Sequence, residues 1–247
     1  MMHRWLTYAL ATLGVAACGN SFKPEQYATP QSLLQAALVE YESGNCGGAE
    51  RGFRRVALEL PPRDSGVAVA RFFLGECLLR RGDYLEASRE FQRVANDHPR
   101  HERAPYALLR AGDALARLWK RPELDPTYGQ NAMSTYSELL GRYPQSEAAD
   151  TARERVTVLG DKFALKGLKN GEFYERLHAY DSAIIYYRNV VADYANSTHA
   201  PTALMRLVAV YRRIGYEEDA RETCAHLRRF HPDADGLDRV CPATTDS

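Results

Sequence analysis

Cys18 stands directly after Val15-Ala16-Ala17, at the foot of an uncharged apolar run that begins at Trp5. A cysteine thiolate is a strong nucleophile, so this position offers a point of covalent attachment. The other four cysteines, Cys46, Cys77, Cys224 and Cys241, allow three pairings, of which Cys46 with Cys77 and Cys224 with Cys241 are the short-range ones. Cys77 and Cys224 fall within helical patterns and also read as small buried hydrophobes, so Cys224 with Cys241 is the pairing retained as a possible disulfide. His98 and His101 flank Pro99 in a connection, so they do not make a helical metal pair. The run Pro232 to Asp238, PDADGLD, lacks the third alternating oxygen ligand and the closing glutamate of a calcium loop and reads as a terminal loop. Asn196-Ser197-Thr198 fits a glycosylation sequon and reads as a polar turn beside a helix. The chain holds no GxSxG, HExxH or GxxxxGK[ST]. No catalytic residue, metal or cofactor is therefore expected, and the chain is not read as an enzyme.

The elements around Cys18 give its chemistry a setting. The run from Trp5 to Ala17 is thirteen residues long, short of the roughly 20 that span a bilayer, and reads with Arg4 as a secretory signal over residues 1–17. Its small-small-Cys ending resembles the lipobox of bacterial lipoproteins. The resemblance implies a diacylglycerol thioether on Cys18, cleavage before it and acylation of the new amino terminus, with palmitate-type chains. Each buried methylene contributes about 0.8 kcal/mol, enough in sum for a lasting membrane anchor. Gly19 stands where aspartate retains such proteins in the inner membrane, which implies the periplasmic face of the outer membrane. Residues 18–29 form a linker that reaches at most about 40 Å, so the first repeat must stay near the bilayer.

Length and charge suit a modest exported protein. The 247 residues carry 32 basic and 32 acidic side chains, a balance that gives no reason to expect a nucleic-acid partner.

Internal repetition sets the fold. Gly44, Ala49, Phe53 and Pro61 recur at the same spacing as Gly82, Ala87, Phe91 and Pro99, and again as Gly215, Ala220, Cys224 and Pro232. Two weaker copies keep Ala132, Tyr136 and Pro144, with Thr127 in the glycine slot, and Ala183 with Tyr187, where His178 and Ala195 break the turn and the terminator. Upstream of each turn runs a second apolar stripe at helical spacing, such as Ala70, Phe73, Leu74, Cys77 and Leu78. Gly75 and Gly112 lie inside such stripes and point to close helix contact. Helix, turn and helix with this small-residue signature resemble the tetratricopeptide repeat (TPR) family. The fold expected is all-α, a right-handed TPR superhelix of about five units.

The units read as residues 30–63, 68–101, 105–146, 164–197 and 201–234, within a solenoid spanning 30–232 and followed by a tail at 233–247. Two connections are oversized. One surplus, RPELDPTYGQ after Lys120, lengthens the turn of the third unit. The other makes residues 146–176 a long helical segment, with Gly160 and Gly167 as candidate bends.

A lipobox, a short linker, a helix entered at Thr29-Pro30, five repeats, an insertion in the third and a long helix before the fourth together resemble the BamD family of outer-membrane assembly lipoproteins. Segments such as GRYPQSEAADTARERV (141–156) and YDSAIIYYRNVVADYANS (180–197) are typical of it. The tail with Cys241 departs from that pattern. The resemblance implies a non-enzymatic scaffold that docks on a BamA-type barrel protein, joins other assembly lipoproteins and helps receive unfolded outer-membrane proteins. It places the ligand face on the first helix of each unit, which here offers Leu34, Leu38, Tyr41, Phe72, Glu76, Arg80, Tyr106 and Leu109. For the C-terminal units it points to Tyr186, Arg188, Arg212 and Arg213 as partner contacts, residue types favoured at interfaces.

Two other classes remain open on the sequence. Another periplasmic TPR adaptor, of the Tol-Pal coordinator or pilus-assembly kind, fits the lipobox and the repeats; a coordinator would carry a coiled coil for which residues 19–29 are too short. A cell-wall enzyme would need convergent polar groups on the groove, for which Glu76, Arg80 and Asp113 are the only material.

Overall fold

The computed structural model describes residues 22–242, and every regular element among them is helical. The signal run 1–17, Cys18 and the start of the linker lie outside the described residues, as does the end of the tail. A short 3-10 turn at Pro24–Gln26 leads to α1 (Pro30–Glu42), α2 (Cys46–Glu59), α3 (Ser65–Arg81), α4 (Tyr84–Asp97), α5 (Ala104–Leu118) and α6 (Thr127–Arg142). The long α7 (Glu147–Arg176) comes next, then α8 (Tyr180–Asp193), α9 (Ala200–Arg213), α10 (Glu217–Phe230) and the one-turn α11 (Leu237–Val240). Each helix packs on the next in chain order, and first helices of successive units also meet, α1 with α3, α5 with α7 and α7 with α9. That nearest-neighbour pattern is a TPR superhelix. Its core is correspondingly divided into three buried clusters, centred on Phe53 and Phe91, on Trp119 and Tyr136, and on Tyr187 and Leu227.

Local chemistry explains the boundaries. The Thr29 side chain accepts from the Ser32 amide at the start of α1, Ser32 answers from its own side chain, and Pro30 needs no amide partner there. Gly82 closes α3 with φ at +92°, in the left-handed region that glycine enters without steric cost. The fourth unit has no glycine at this place, yet the turn forms: His178 takes φ of 60°, and its amide donates to the Glu175 carbonyl at 3.0 Å. The packing of α7 on α8 imposes a conformation the local sequence does not favour.

The pairing of small and large residues locks the two helices of a unit. Aligned positions read Ala37 with Phe53, Gly75 with Phe91, Gly112 with Tyr136 and Gly171 with Tyr187, while the last unit has Val208 with Cys224 and no ring. A β-carbon at Gly75 would stand 2.7 Å from the Phe91 ring, and one at Gly112 or Gly171 would stand 2.3 Å from Tyr136 or Tyr187. The rings therefore lie on bare backbone. Burial of each contributes on the order of 2 to 3 kcal/mol.

α7 runs uninterrupted for 30 residues, about 45 Å at 1.5 Å per residue, so neither Gly160 nor Gly167 ends it. Its lysines hold the inserted loop of the third unit. Lys162 Nζ donates to the Trp119 carbonyl, Lys166 Nζ to the carbonyls of Pro122 and Leu124 at 3.1 and 3.0 Å, and Lys169 pairs with Glu123.

The run 232–236 is a loop as expected, and the one-turn α11 begins at Leu237, which is buried against the last unit. Cys224 is joined to Cys241 by a disulfide, one of the two short-range pairings the sequence offers. Arg212 Nη1 donates to the Val240 carbonyl at 2.5 Å, and Arg228 donates to that of Cys241. Cys46 and Cys77 are free thiols, the latter buried.

Candidate functional site

Side chains from α1, α3, α5 and α7 are joined across the helices by a polar ladder. Arg80 on α3 donates from Nη2 to the Tyr41 hydroxyl on α1 at 2.6 Å, its guanidinium 4.2 Å above that ring. One turn earlier on α3, Glu76 accepts from Nε and Nη2 of Arg110 on α5 at 2.5 and 2.6 Å. Arg110 also reaches Asp113 at 3.6 Å, and Asp113 accepts from Arg155 Nε on α7 at 3.1 Å and from the Tyr136 hydroxyl at 2.9 Å. The Tyr106 hydroxyl donates to Glu147, at the start of α7, at 2.7 Å.

The ladder reconciles charge with burial. Glu76 is only 8% exposed, which a carboxylate tolerates because a two-pronged guanidinium satisfies both oxygens. The same hydrogen bond raises the Arg110 pKa further. Burial, then the charge of Asp113, pushes the Tyr136 hydroxyl above its ordinary range, so it stays a donor.

The side chains expected on this face divide. Leu34, Phe72 and Leu109 are buried in the core, and Glu76 is engaged by Arg110. Leu38 and Tyr41 are half-buried, while Arg80 and Tyr106 are exposed. Phe72 packs edge-on to Phe73 at 5.6 Å; Arg103 covers both rings at 5.3 and 4.8 Å. The stripe facing the core is wider than a single row of positions, so it claims the apolar members.

Arg103, Arg110 and Arg155 escaped the sequence reading. A usable signal was present for one of them: Arg110 follows Glu76 by 34 residues, one repeat length, which places opposite charges on neighbouring first helices. Arg110, Arg117, Arg155 and Lys162 line a cleft of about 350 Å³ between α5 and α7, with Asp113 as its carboxylate and Ala116, Val158 and Leu159 as its apolar surface. Such a cationic, partly apolar cleft suits an anionic amphipathic segment.

The C-terminal candidates do not form one patch. Tyr186 stacks on Tyr174 of α7, ring centres 5.3 Å apart, whereas Arg188, two positions on, lines the cleft between α8 and α10. Residues two apart on a helix face different ways. Arg212 is held by the tail, and Arg213 donates to the Tyr180 hydroxyl at 3.4 Å.

Among the described residues no group of three potential metal ligands occurs, and no helix is long and apolar enough to cross a membrane. The YfiO family model, described as an outer membrane lipoprotein, matches residues 26–227. The chain belongs to this YfiO (BamD) family. Similar curated proteins are named outer membrane protein assembly factor BamD. That of Caulobacter vibrioides is 27% identical over 222 residues, 88% of this chain and 72% of that protein. That of Xylella fastidiosa Temecula1 is 24% identical over 82% of this chain and 73% of its own length. Against BamD of Neisseria meningitidis Z2491 the match is 25% identical and spans 60% of this chain and 58% of that relative's length. In fold, the YfiO-family chain is similar to a TPR repeats protein from Bacteroides fragilis, with a TM-score of 0.53 and 13% identity over 87% of this chain and 96% of that one.

Proposed function

We propose that this protein is a non-enzymatic scaffold of outer-membrane protein assembly, anchored by lipid on Cys18 to the periplasmic face of the outer membrane. It docks on the periplasmic domains of a BamA-type barrel protein and helps receive unfolded outer-membrane proteins. The observation that carries this reading is the reach of the family match, residues 26–227, which takes in α1 to α9 and most of α10. The surfaces agree with it. Leu38, Tyr41, Arg80 and Tyr106 leave an accessible rim along α1, α3 and α5 for an extended segment, and Arg188 and Arg213 remain exposed on the C-terminal units for a partner. The charged groups of the ladder are already paired with one another, which suits a frame better than a reactive centre.

The test is a pull-down of the tagged, lipidated protein from solubilised native membranes, with partners identified by mass spectrometry. A BamA-type protein in near-stoichiometric amount is the expected result. Tol-Pal or pilus-assembly proteins in its place overturn the proposal and leave the family and fold standing.

A further inference from the structure

The long helix α7 also forms one side of a second cleft. α6 packs on the first half of α7 and α8 on the second, and a notch of about 840 Å³ is left between α6 and the end of α8. Gly160 lies on its floor, where a β-carbon would come no nearer than 3.7 Å to Tyr194. The far wall is the corner 193–197, the place where Ala195 replaces the proline that follows the second helix of other units. The irregularities in the repeat, a long first helix and a missing terminator, therefore meet at one site.

Its chemistry is distinct from that of the cleft between α5 and α7. Met133, Val156, Phe163 and Tyr194 supply an apolar strip, with Phe163 stacked on Tyr194 at 6.1 Å. Hydroxyl and amide groups border it, and the two charged side chains lining it, Asp161 and Asp193, are both carboxylates. Asp161 accepts from the Thr198 amide at 2.8 Å, while Asp193 is exposed and has no ion-pair partner among the described residues. On α7 the notch uses Val156, Thr157, Gly160, Asp161 and Phe163, whereas the cationic cleft uses Arg155, Val158, Leu159 and Lys162. At 100° per residue these sets lie on opposite sides of the helix.

We infer that the notch binds an extended peptide segment of a partner protein that carries apolar residues and lysine or arginine together on one face, at every second position. An extended chain presents alternate side chains to one surface, so the apolar members of that face fit the strip while its cations reach Asp161 and Asp193. This docking site is separate from the surfaces assigned above and does not depend on them.

The test uses the full-length protein and a fluorescein-labelled ten-residue peptide with valine, arginine and tyrosine shared among every second position and serine between them, read by anisotropy at moderate salt. The expected result is saturable binding weakened about tenfold by Asp193→Lys, a charge reversal at an exposed position, and abolished when Ser137→Trp fills the notch. Peptide with glutamate in place of arginine should fail on the natural protein and gain affinity for the Asp193→Lys variant. Thermal melting of both variants confirms that they fold. Equal affinity of the natural protein for the two peptides, or binding indifferent to both substitutions, overturns the inference. Recovery of a BamA-type partner by the Asp193→Lys variant separates this result from the proposed scaffold role.

Discussion

Gly112 of α5 lies under the ring of Tyr136 from α6, so close that a β-carbon would stand 2.3 Å from Cε1. The hydroxyl of the same tyrosine donates to Asp113 at 2.9 Å. One side chain thus closes the third unit and ties it to the polar ladder. Gly112→Ala should destabilise the protein by about 1 to 3 kcal/mol through overpacking. Gly141, with nothing within 4 Å of its would-be β-carbon, is the control: Gly141→Ala should be neutral or stabilising by up to about 1 kcal/mol. Thermal unfolding of the two variants checks the contrast, and equal losses would refute the interlock.

Glu76 and Arg110 should behave as a unit. Glu76→Ala leaves a partly buried guanidinium without its partner and should cost about 1 to 3 kcal/mol. The double change Glu76→Leu with Arg110→Leu should recover part of that loss. A double-mutant cycle by urea unfolding measures the coupling, and additive single effects would show that the pair does not hold α3 to α5.

Acidification should loosen the start of α5. His101 Nδ1 accepts from the Arg103 amide at 3.1 Å, which requires an unprotonated nitrogen. Its pKa is lowered from 6.5 chiefly by burial, with Arg103 and His98 adding to the effect and Glu102 opposing it. The unfolded chain then binds more protons, so the contribution to stability falls as pH drops below about 6.5 toward the folded value, and rises again with pH. His101→Asn keeps an acceptor without this titration. Melting temperatures between pH 5 and pH 8 should show a shallower acid loss in the variant, and parallel curves would count against the assignment.

Of the three lysines that hold the inserted loop, Lys166 donates to two of its carbonyls. Lys166→Ala removes both hydrogen bonds to the carbonyls of Pro122 and Leu124. Amide hydrogen exchange across residues 120–126 should quicken while α5 and α6 remain protected. An unchanged exchange pattern would mean that Lys162 and Lys169 hold the loop without it.

The two kinds of cysteine should separate chemically. Under native conditions a small alkylating reagent should modify Cys46 and spare Cys77, which is buried; urea should expose Cys77, and reduction should then add Cys224 and Cys241. Cys241→Ser removes a cross-link spanning 17 residues and should cost about 3 kcal/mol, with the loss confined to α10 and α11 in hydrogen exchange. Labelling of Cys224 before reduction would contradict the cross-link.

The repeated frame was readable from one chain because it rests on short-range rules. Thr29-Pro30 and Gly82 act through their own backbone and nearest neighbours, and apolar residues three and four apart must share a helix face whatever lies opposite. Gly75 and Gly112 announced close contact for the same reason, since bare backbone inside a helix costs stability without a packing return. The candidate ligand face was legible only as a stripe. Leu34, Phe72 and Leu109 share it with Arg80 and Tyr106, and nothing local distinguishes a side chain that turns into the core from one that stays outside.

By itself the sequence determined the helical units, their order and the two places where the period fails, because each arises from spacing and turn chemistry along the chain. The tertiary structure decided the rest: that His178 accepts the left-handed turn, that Glu76 takes Arg110 one repeat away, that Cys241 returns to Cys224, and that α7 has a cationic cleft on one side and an acidic notch on the other. Apart from the His178 turn, those relationships join residues distant in sequence. Their free energy arises only when neighbouring units stack and exclude water between them, which no local pattern encodes.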